Sequence, residues 1–361
     1  SLFKGLVRNV EEAGDVDLPD ATTRIADLDA GQADEFALRL AAQKSALLLH
    51  LSEGTDEKSR IRFLRLQRPD GSWAINHALA GIHCVALSEE DWKIYGPRGG
   101  HTIWSPASNL LLYGETARID LALEHGTAVA LGADWSFSGS KNLLAELKVA
   151  RAVCKARGWS VGARDLVSMV TRAPARVLRW KKLGQLRAGS YLDAIVLKRA
   201  AGSPYDTLID ATEADLSLVM IGGDALLGTT ALMNALASAP LETVHVAGEA
   251  RLLASQPEDS GVGVGSSSLA SATAMLREAM QALPVLEGKP KVRRAGQPQV
   301  ELVFDPDLDA LPPEPTRAAT PPKPLSPKSL DGLTVVDDPT YWPRFVAAGN
   351  LPAEIAALLP R

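Results

Sequence analysis

Three polar side chains follow apolar runs in the first half of the chain and could support metal or acid–base chemistry. They are His50 after ALLL, His83 after AGI and Asp134 after TAVALGA. An apolar strand that ends in His or Asp is how an α/β barrel presents metal ligands and proton-transfer groups at one rim. Aspartate is rarely buried unless it is paired or bound to a metal, so Asp134 carries the clearest signal of the three.

Glu53 follows His50 in an H-x-x-E spacing. Its carboxylate could carry a proton from a metal-activated water to a leaving group. Structural alternatives remain open for all four residues. His50 and His83 could be core histidines, Glu53 could cap the next helix, and Asp134 could cap the following turn.

A further polar segment, WSPASNLLLYG, follows the strand-like run HTIW. Trp104, Ser105 and Asn109 from this segment, together with Trp135, are predicted to bind substrate. The alternative for Ser105 and Asn109 is that they stabilise the turn.

Apolar strand-like runs alternate with helical patterns over residues 1–182, which predicts a parallel sheet or barrel. Strands are predicted over 3–10, 45–51, 101–105 and 127–133, and helices over 33–43, 56–67, 116–126, 142–158 and 163–178, the last with a break at Pro174. Ser88 is predicted to cap a helix that begins EEDW.

The remaining residues predict two other regions. Strand and turn patterns over 190–198, 214–224 and 242–248 indicate a β-sandwich segment within 183–255. Residues 256–361 are predicted to contain one helix over 268–283 and a Pro-rich extension, PPEPTRAATPPKPLSP, that acts as a linker or a wrapping arm.

Composition narrows the function classes. A net charge of −5 and a pI near 5.8 argue against nucleic acid or anionic membrane as the main partner. Cys84 and Cys154 both lie in apolar segments, which favours reduced, buried thiols. The sequence contains no P-loop, no C-x-x-C and no dinucleotide-binding glycine motif between a strand and a helix. We therefore expect a cytoplasmic protein that acts on a small molecule.

Four motifs, in the order HLSEGTDEKSR, HCVALSEEDW, WSPASNLLLYG and VALGADWSFSGSKNLLAELKVA, resemble the amidohydrolase superfamily. They are most similar to its deaminase, guanine-deaminase and chlorohydrolase-like branch. KLGQLRAGSYLDAIVL resembles the segment that returns the chain to the family's β-sandwich: Gly184, Gly189 and Asp193 match, whereas Leu192 stands where Ala is usual. The resemblance implies the C-terminal portion of a TIM (β/α)8 barrel, a small β-sandwich and a Pro-rich tail.

The resemblance also implies a metal-dependent hydrolase that attacks C–N bonds (amide, amidine or ring deamination) or C–Cl bonds with a metal-activated water. By this likeness His50 is a metal ligand from the family's fifth strand, and Asp134 is an eighth-strand ligand that also takes the proton of the water. His83 orients the nucleophile or polarises the substrate, and Glu53 carries the proton to the leaving group. The implied cofactor is a divalent metal, zinc in the first place, with iron or manganese as alternatives.

The sequence departs from this family in two respects. The family's first strand supplies an H-x-H pair, and no H-x-H occurs here. A complete barrel needs about 250 residues, more than the 182 that precede the predicted sandwich. We expect a missing N-terminal portion, or association into a homo-oligomer through open strand edges. We also expect weak zinc binding by this chain alone. The alternative function is a catalytically inactive fragment or subunit that binds a partner.

Overall fold

The computed structural model describes residues 7–24, 28–135, 137–255, 268–286 and 334–360. The chain forms two compact units. One comprises Ser1–Ser267 with Gly332–Arg361, and the other comprises Ser268–Asp331.

A five-stranded parallel sheet carries the candidate site. Its strands lie in sequence order and are β1 (Thr22–Arg24), β2 (Leu47–Leu51), β3 (Leu79–His83), β4 (His101–Trp104) and β5 (Val129–Leu131). Parallel neighbours in this order require crossover connections, and helices supply them. The predicted mixed α/β fold with a parallel sheet is confirmed. In the described part of the chain β1 and β5 are the outer strands and do not pair with each other. The assignment of this sheet to the C-terminal portion of a TIM barrel stays a prediction.

Helices pack around this sheet. They are α1 (Ala33–Ala41), α2 (Glu57–Leu64), α3 (Glu89–Tyr95), α4 (Pro106–Tyr113), α5 (Ile119–Glu124), α6 (Leu143–Ala156), α7 (Ala163–Met169), α8 (Arg172–Val177) and α9 (Pro204–Asp210). Ser88 caps α3 as predicted, through a capping box with Asp91. The predicted break at Pro174 lies earlier, between α7 and α8. Pro174 falls in the first turn of α8, where a proline lacks no intrahelical hydrogen bond.

Strands β2, β3 and β5 are almost entirely apolar because both faces of the sheet are covered, whereas β1 (TTR) and β4 (HTIW) also carry polar residues. On one face Leu47, Leu49 and Leu51 join the main core, which contains Trp92 and Tyr95. On the other face the buried residues are mostly small; they are Ala21, Ala46, Leu48, Ala80, Ala128, Ala130 and Val177. Burial on both faces is typical of parallel sheets and explains why β2, β3 and β5 stand out in the sequence as apolar runs.

The second sheet is antiparallel, with the order β6-β7-β8-β10-β9. Its strands are β6 (Ala194–Leu197), β7 (Leu216–Ile221), β8 (Asp224–Gly228), β9 (Leu241–Val246) and β10 (Glu249–Ala254). The helix α10 (Thr230–Leu236) packs on it through Met233. Within the described residues this region forms one sheet with no facing partner sheet, so the predicted sandwich over 183–255 is not confirmed.

The strand predicted over 214–224 ends earlier than predicted. Gly222 and Gly223 have φ values of 63° and 97° and form the tight turn of the hairpin that leads to β8.

The first described residues contact the segment that precedes β6. Arg8 donates two hydrogen bonds to the carboxylate of Asp193, with distances of 2.9 and 3.0 Å. Residues 7–10 are not in a strand, which corrects the described part of the strand predicted over 3–10.

The described residues 334–360 form helices that are part of the first unit. Two short helices, α12 (Tyr341–Val346) and α13 (Ala353–Ala356), pack on the first unit, with Phe345, Ile355 and Leu359 buried in its main core. In the second unit the helix α11 (Leu269–Leu286) overlaps the helix predicted over 268–283. The Pro-rich stretch 312–327 lies outside the described residues. None of the described helices combines the length and the apolar character needed to cross a membrane.

Candidate active site

The four side chains first identified in the sequence lie together at the carboxyl ends of β2, β3 and β5. The rings of His50 and His83 have centroids 5.4 Å apart and are tilted by 45°. His83 Nε2 lies 3.5 Å from Glu53 Oε2 and 3.8 Å from Asp134 Oδ2. One ligand atom each from His50, Glu53 and His83 can be chosen so that all three lie within 4.8 Å of one another. The sheet therefore brings two imidazoles and two carboxylates into one cluster.

The backbone is strained where it delivers two of these groups. His83 has a φ of 70° and Asp134 a φ of 58°, both in the left-handed region. A non-glycine residue pays roughly 1–2 kcal/mol to adopt this conformation. By strand alternation His83 belongs to the same face as Leu79, whereas His50 lies on the opposite face with Leu48. The left-handed turn at His83 interrupts this alternation and allows the two rings to approach.

His83 is almost completely buried, and its Nδ1 contacts the side-chain amide of Asn109. Its side chain is 2% exposed, and Asn109 Nδ2 lies 3.1 Å from His83 Nδ1. Burial lowers the pKa of His83, and the neighbouring His50 lowers it further, while Glu53 and Asp134 oppose both effects. The neutral imidazole is therefore the favoured form near pH 7.

Glu53 has a partner that the sequence did not reveal. The hydroxyl of Tyr113, the last residue of α4, donates a 3.0 Å hydrogen bond to Glu53 Oε1. Burial and the charge of Glu53 raise the pKa of Tyr113 to about 12, so the phenol stays protonated as a donor. The other oxygen of Glu53 faces His83.

The cluster offers a donor set that suits a cation such as zinc. His50 Nδ1 is buried and has no hydrogen-bond partner within the described residues, which is costly unless a ligand satisfies it. Imidazole nitrogens and carboxylate oxygens are zinc's usual ligands together with thiolates. The side chain of Asp134 is 22% exposed, and its Oδ1 accepts a 2.7 Å hydrogen bond from the Trp135 amide, while Oδ2 faces His83.

The four residues predicted to bind substrate differ in burial: three are buried and one is exposed. Trp104, Ser105 and Asn109 are at most 2% exposed, which agrees with the structural alternative for Ser105 and Asn109, and their contact with substrate stays a prediction. Trp104 packs near Trp159, and its indole is bonded inside the core. Trp135 is 67% exposed beside Asp134 and remains a candidate for substrate contact.

Sequence reasoning missed a buried carboxyl group behind the site. Glu146 on α6 is fully buried, and burial raises its pKa to about 8. Its Oε1 accepts a 2.9 Å hydrogen bond from the Ala107 amide in the first turn of α4, and its Oε2 is bonded to Ser140 Oγ. The only signal was a glutamate between apolar neighbours on a helix, which is ordinary on amphipathic surfaces.

Comparisons with known proteins agree with the fold and the motif order. A sequence profile of the amidohydrolase family matches residues 44–226. The 5-methylthioadenosine/S-adenosylhomocysteine deaminase of Syntrophobacter fumaroxidans is 31% identical over 173 residues, which are 45% of this chain and 39% of that protein. The corresponding deaminase 1 of Syntrophus aciditrophicus is 28% identical over 206 residues, 52% of this chain and 46% of that protein.

A solved structure is similar in fold. It is a zinc-bound adenosine deaminase from Xanthomonas campestris, with a TM-score of 0.51, 20% identity, and coverage of 57% of this chain and 51% of that one. The matches thus span about half or less of the length of each of these relatives.

Proposed function

The chain belongs to the amidohydrolase family, and on that premise we propose that it contributes four active-site side chains to a metal-dependent hydrolase of C–N bonds. The observation that carries the proposal is the convergence of His50, Glu53, His83 and Asp134 at one edge of the parallel sheet. The named relatives are deaminases, which favours C–N cleavage over the C–Cl cleavage that the sequence also suggested.

We assign His50 and Asp134 as the metal ligands of this chain. The orphaned nitrogen of His50 and the carboxylate of Asp134 supply one neutral and one anionic donor. Zinc is the proposed ion, with iron or manganese as alternatives. When bound, such an ion lowers the pKa of water toward 7 and so supplies a nucleophile at neutral pH. Structural and catalytic zinc sites use three or more protein ligands, so the proposal includes further ligands from outside these two residues.

Glu53 is the proposed proton carrier. Tyr113 occupies Oε1, which leaves Oε2 as the oxygen that receives a proton and passes it to the leaving nitrogen. That oxygen lies 3.5 Å from His83 Nε2, so the proton is handled inside the cluster. A positioned carboxylate in this role contributes typically 10²–10⁴-fold to the rate.

The proposed substrate is a small heteroaromatic amine. The relatives are named for deamination of 5-methylthioadenosine and S-adenosylhomocysteine, both of which carry an adenine ring. Trp135 follows Asp134 in the sequence, and its exposed ring lies 5.0 Å, centroid to centroid, from the ring of Phe137. These two aromatic side chains offer a surface on which a flat ring can stack.

Metal binding tests the proposal directly. Zinc is titrated into the chain and into His50→Ala, Asp134→Asn and the control His245→Ala, which lies on β9 away from the cluster. We expect weak, stoichiometric binding that is lost in the first two variants and kept in the control. Deamination of 5-methylthioadenosine is then followed by its change in ultraviolet absorbance.

The alternative function, a catalytically inactive binding subunit, makes the opposite prediction. The absence of H-x-H from the sequence is the feature that favours it. Zinc binding that is equal in all four proteins, with no deamination at saturating zinc, would support this alternative and overturn the hydrolase proposal.

A further inference from the structure

A buried chain of hydrogen bonds leads from the core to His83. Trp104 Nε1 donates to Thr116 Oγ1 at 2.7 Å, and Thr116 Oγ1 donates to Asn109 Oδ1 at 3.1 Å. Asn109 Nδ2 then lies 3.1 Å from His83 Nδ1. All four side chains are buried, so water does not compete for these bonds.

The donor and acceptor in each of these hydrogen bonds follow from the chemistry of the Trp104 indole and the Thr116 hydroxyl. An indole N–H can only donate, so the Thr116 hydroxyl accepts from Trp104. The hydroxyl has one proton of its own, and within the described residues its remaining partner is Asn109. The amide oxygen of Asn109 therefore faces Thr116, and the amide NH₂ group faces His83.

We propose that Asn109, oriented by Thr116 and Trp104, is a positioning residue that holds His83 as the Nε2–H tautomer, a hydrogen-bond donor and not a metal ligand. An amide N–H needs an acceptor, so Nδ1 of His83 presents its lone pair to Asn109. In the neutral ring the proton is then on Nε2. This nitrogen is the one that faces Glu53 and Asp134.

This tautomer gives His83 a different role from the metal ligands of the cluster. His50, Glu53 and His83 lie close enough to hold one ion together, but a protonated Nε2 has no lone pair to give. The metal is left to His50 and Asp134, and the Nε2–H group of His83 is directed toward the carboxylates of Glu53 and Asp134. The role of His83 in catalysis rests on the proposed function, whereas the assignment of its tautomer does not.

Nitrogen-15 NMR of the imidazole side chains tests the tautomer without any need for activity. Spectra are recorded on the metal-free chain at a pH where His83 is neutral, and its signals are assigned with a His83→Gln variant. We expect a protonated Nε2 and an unprotonated Nδ1. A protonated Nδ1 would mean that the Asn109 amide is turned the other way, and the proposal would be wrong.

Two variants test the relay. Asn109→Asp presents an acceptor to Nδ1, so we expect the proton to move to that nitrogen. Thr116→Val removes the hydroxyl that orients the amide, and we expect His83 to populate both tautomers. The control Asn9→Asp, a surface residue whose Oδ1 accepts from the Glu11 amide, is expected to leave the His83 signals unchanged. His83 signals that do not move in a folded relay variant would overturn the role of Asn109. If one variant fails to fold, the other still provides this test.

Zinc addition separates this inference from the proposed function. We expect zinc to shift the nitrogen signals of His50 while His83 keeps its proton on Nε2. A zinc-induced loss of that proton would make His83 a ligand and contradict the inference alone. A chain that binds no zinc but shows the Nε2–H tautomer would contradict the proposed metal site and leave the relay intact. In an active enzyme Asn109→Asp should lower kcat about 10–100-fold, as loss of a group that orients a functional histidine typically does.

Discussion

Glu146 accepts a 2.9 Å hydrogen bond from the backbone amide of Ala107, which ties α6 to the first turn of α4. A helix N-terminus has unsatisfied amide groups, and a carboxylate nearby is a suitable acceptor for them. Because α4 carries both Asn109 and Tyr113, this contact anchors the helix that holds His83 and Glu53 in place. The anchor is fully buried, which makes its protonation state matter for stability.

We expect Glu146 to make folding stability fall as the pH rises toward alkaline values. Burial raises its pKa from an ordinary 4.5 to about 8 in the folded protein, so the native state keeps a proton that the unfolded chain releases. This contribution is fully present below about pH 4.5 and is lost as the pH rises through about 8. Urea unfolding between these limits measures it.

Glu146→Gln is the informative variant, because it keeps an acceptor for Ala107 and removes the titration. We expect its free energy of unfolding to depend less on pH between about 5 and about 9 than that of the parent chain. The control Glu35→Gln, an exposed residue on α1, should retain the parent's pH dependence. Identical pH profiles for Glu146→Gln and the parent would rule out the buried carboxyl as the cause.

Tyr113 should be among the last tyrosines to ionise, and Glu53 should be part of the reason. Burial is the larger cause of the raised pKa of about 12, and the negative charge of Glu53 adds to it. Glu53→Gln removes the charge and leaves the burial, so we expect the pKa of Tyr113 to fall but to stay above 10. Carbon-13 NMR of labelled tyrosines across an alkaline titration measures this change. Tyr205, which is partly exposed and distant in sequence, is the internal control.

The convergence of His50, His83 and Asp134 was predictable because it depends on one rule. Each residue ends an apolar run, and the carboxyl ends of parallel strands meet at the same edge of a sheet. This convergence can be predicted without knowing how the helices pack on the sheet. The H-x-x-E spacing placed Glu53 in the same cluster for a related reason, since the loop after a strand stays near the end of that strand.

The contacts that hold these residues were not predictable, because they join elements distant in the sequence. Tyr113 meets Glu53, and Glu146 meets Ala107, only after α4 and α6 have packed on the sheet. A tyrosine at the end of one helix and a glutamate inside another are common at surface positions. Their roles come from tertiary burial, which local patterns do not encode. The same limit explains why the contact of Asn109 with His83 could not be predicted.

The last helices of the chain contribute to the main core, and one pair of neighbouring residues tests this. Ile355 is completely buried, whereas Leu358, one turn away, is 44% exposed. We expect Ile355→Ala to lower the free energy of unfolding by about 2–5 kcal/mol, the usual cost of a large-to-small change in a core. Leu358→Ala should cost clearly less, because much of its side chain is already in water. Urea unfolding of both variants decides the matter, and equal small losses would show that α13 does not stabilise the first unit.

Trp135 provides a test of substrate binding that does not depend on turnover. Its ring is exposed, and its backbone amide, which a substitution keeps, donates a hydrogen bond to Asp134 Oδ1. Trp135→Ala should therefore weaken binding of 5-methylthioadenosine without disturbing the carboxylate. Aromatic pairs contribute roughly 0.5–1.5 kcal/mol beyond their buried area, so we expect a Kd increase of about 10-fold in equilibrium dialysis. Leu186→Ala, which truncates another exposed apolar side chain, is the matched control and should leave the Kd unchanged. An unchanged Kd in Trp135→Ala would place the substrate ring elsewhere, and an equal increase in both variants would point to a general loss of folded protein.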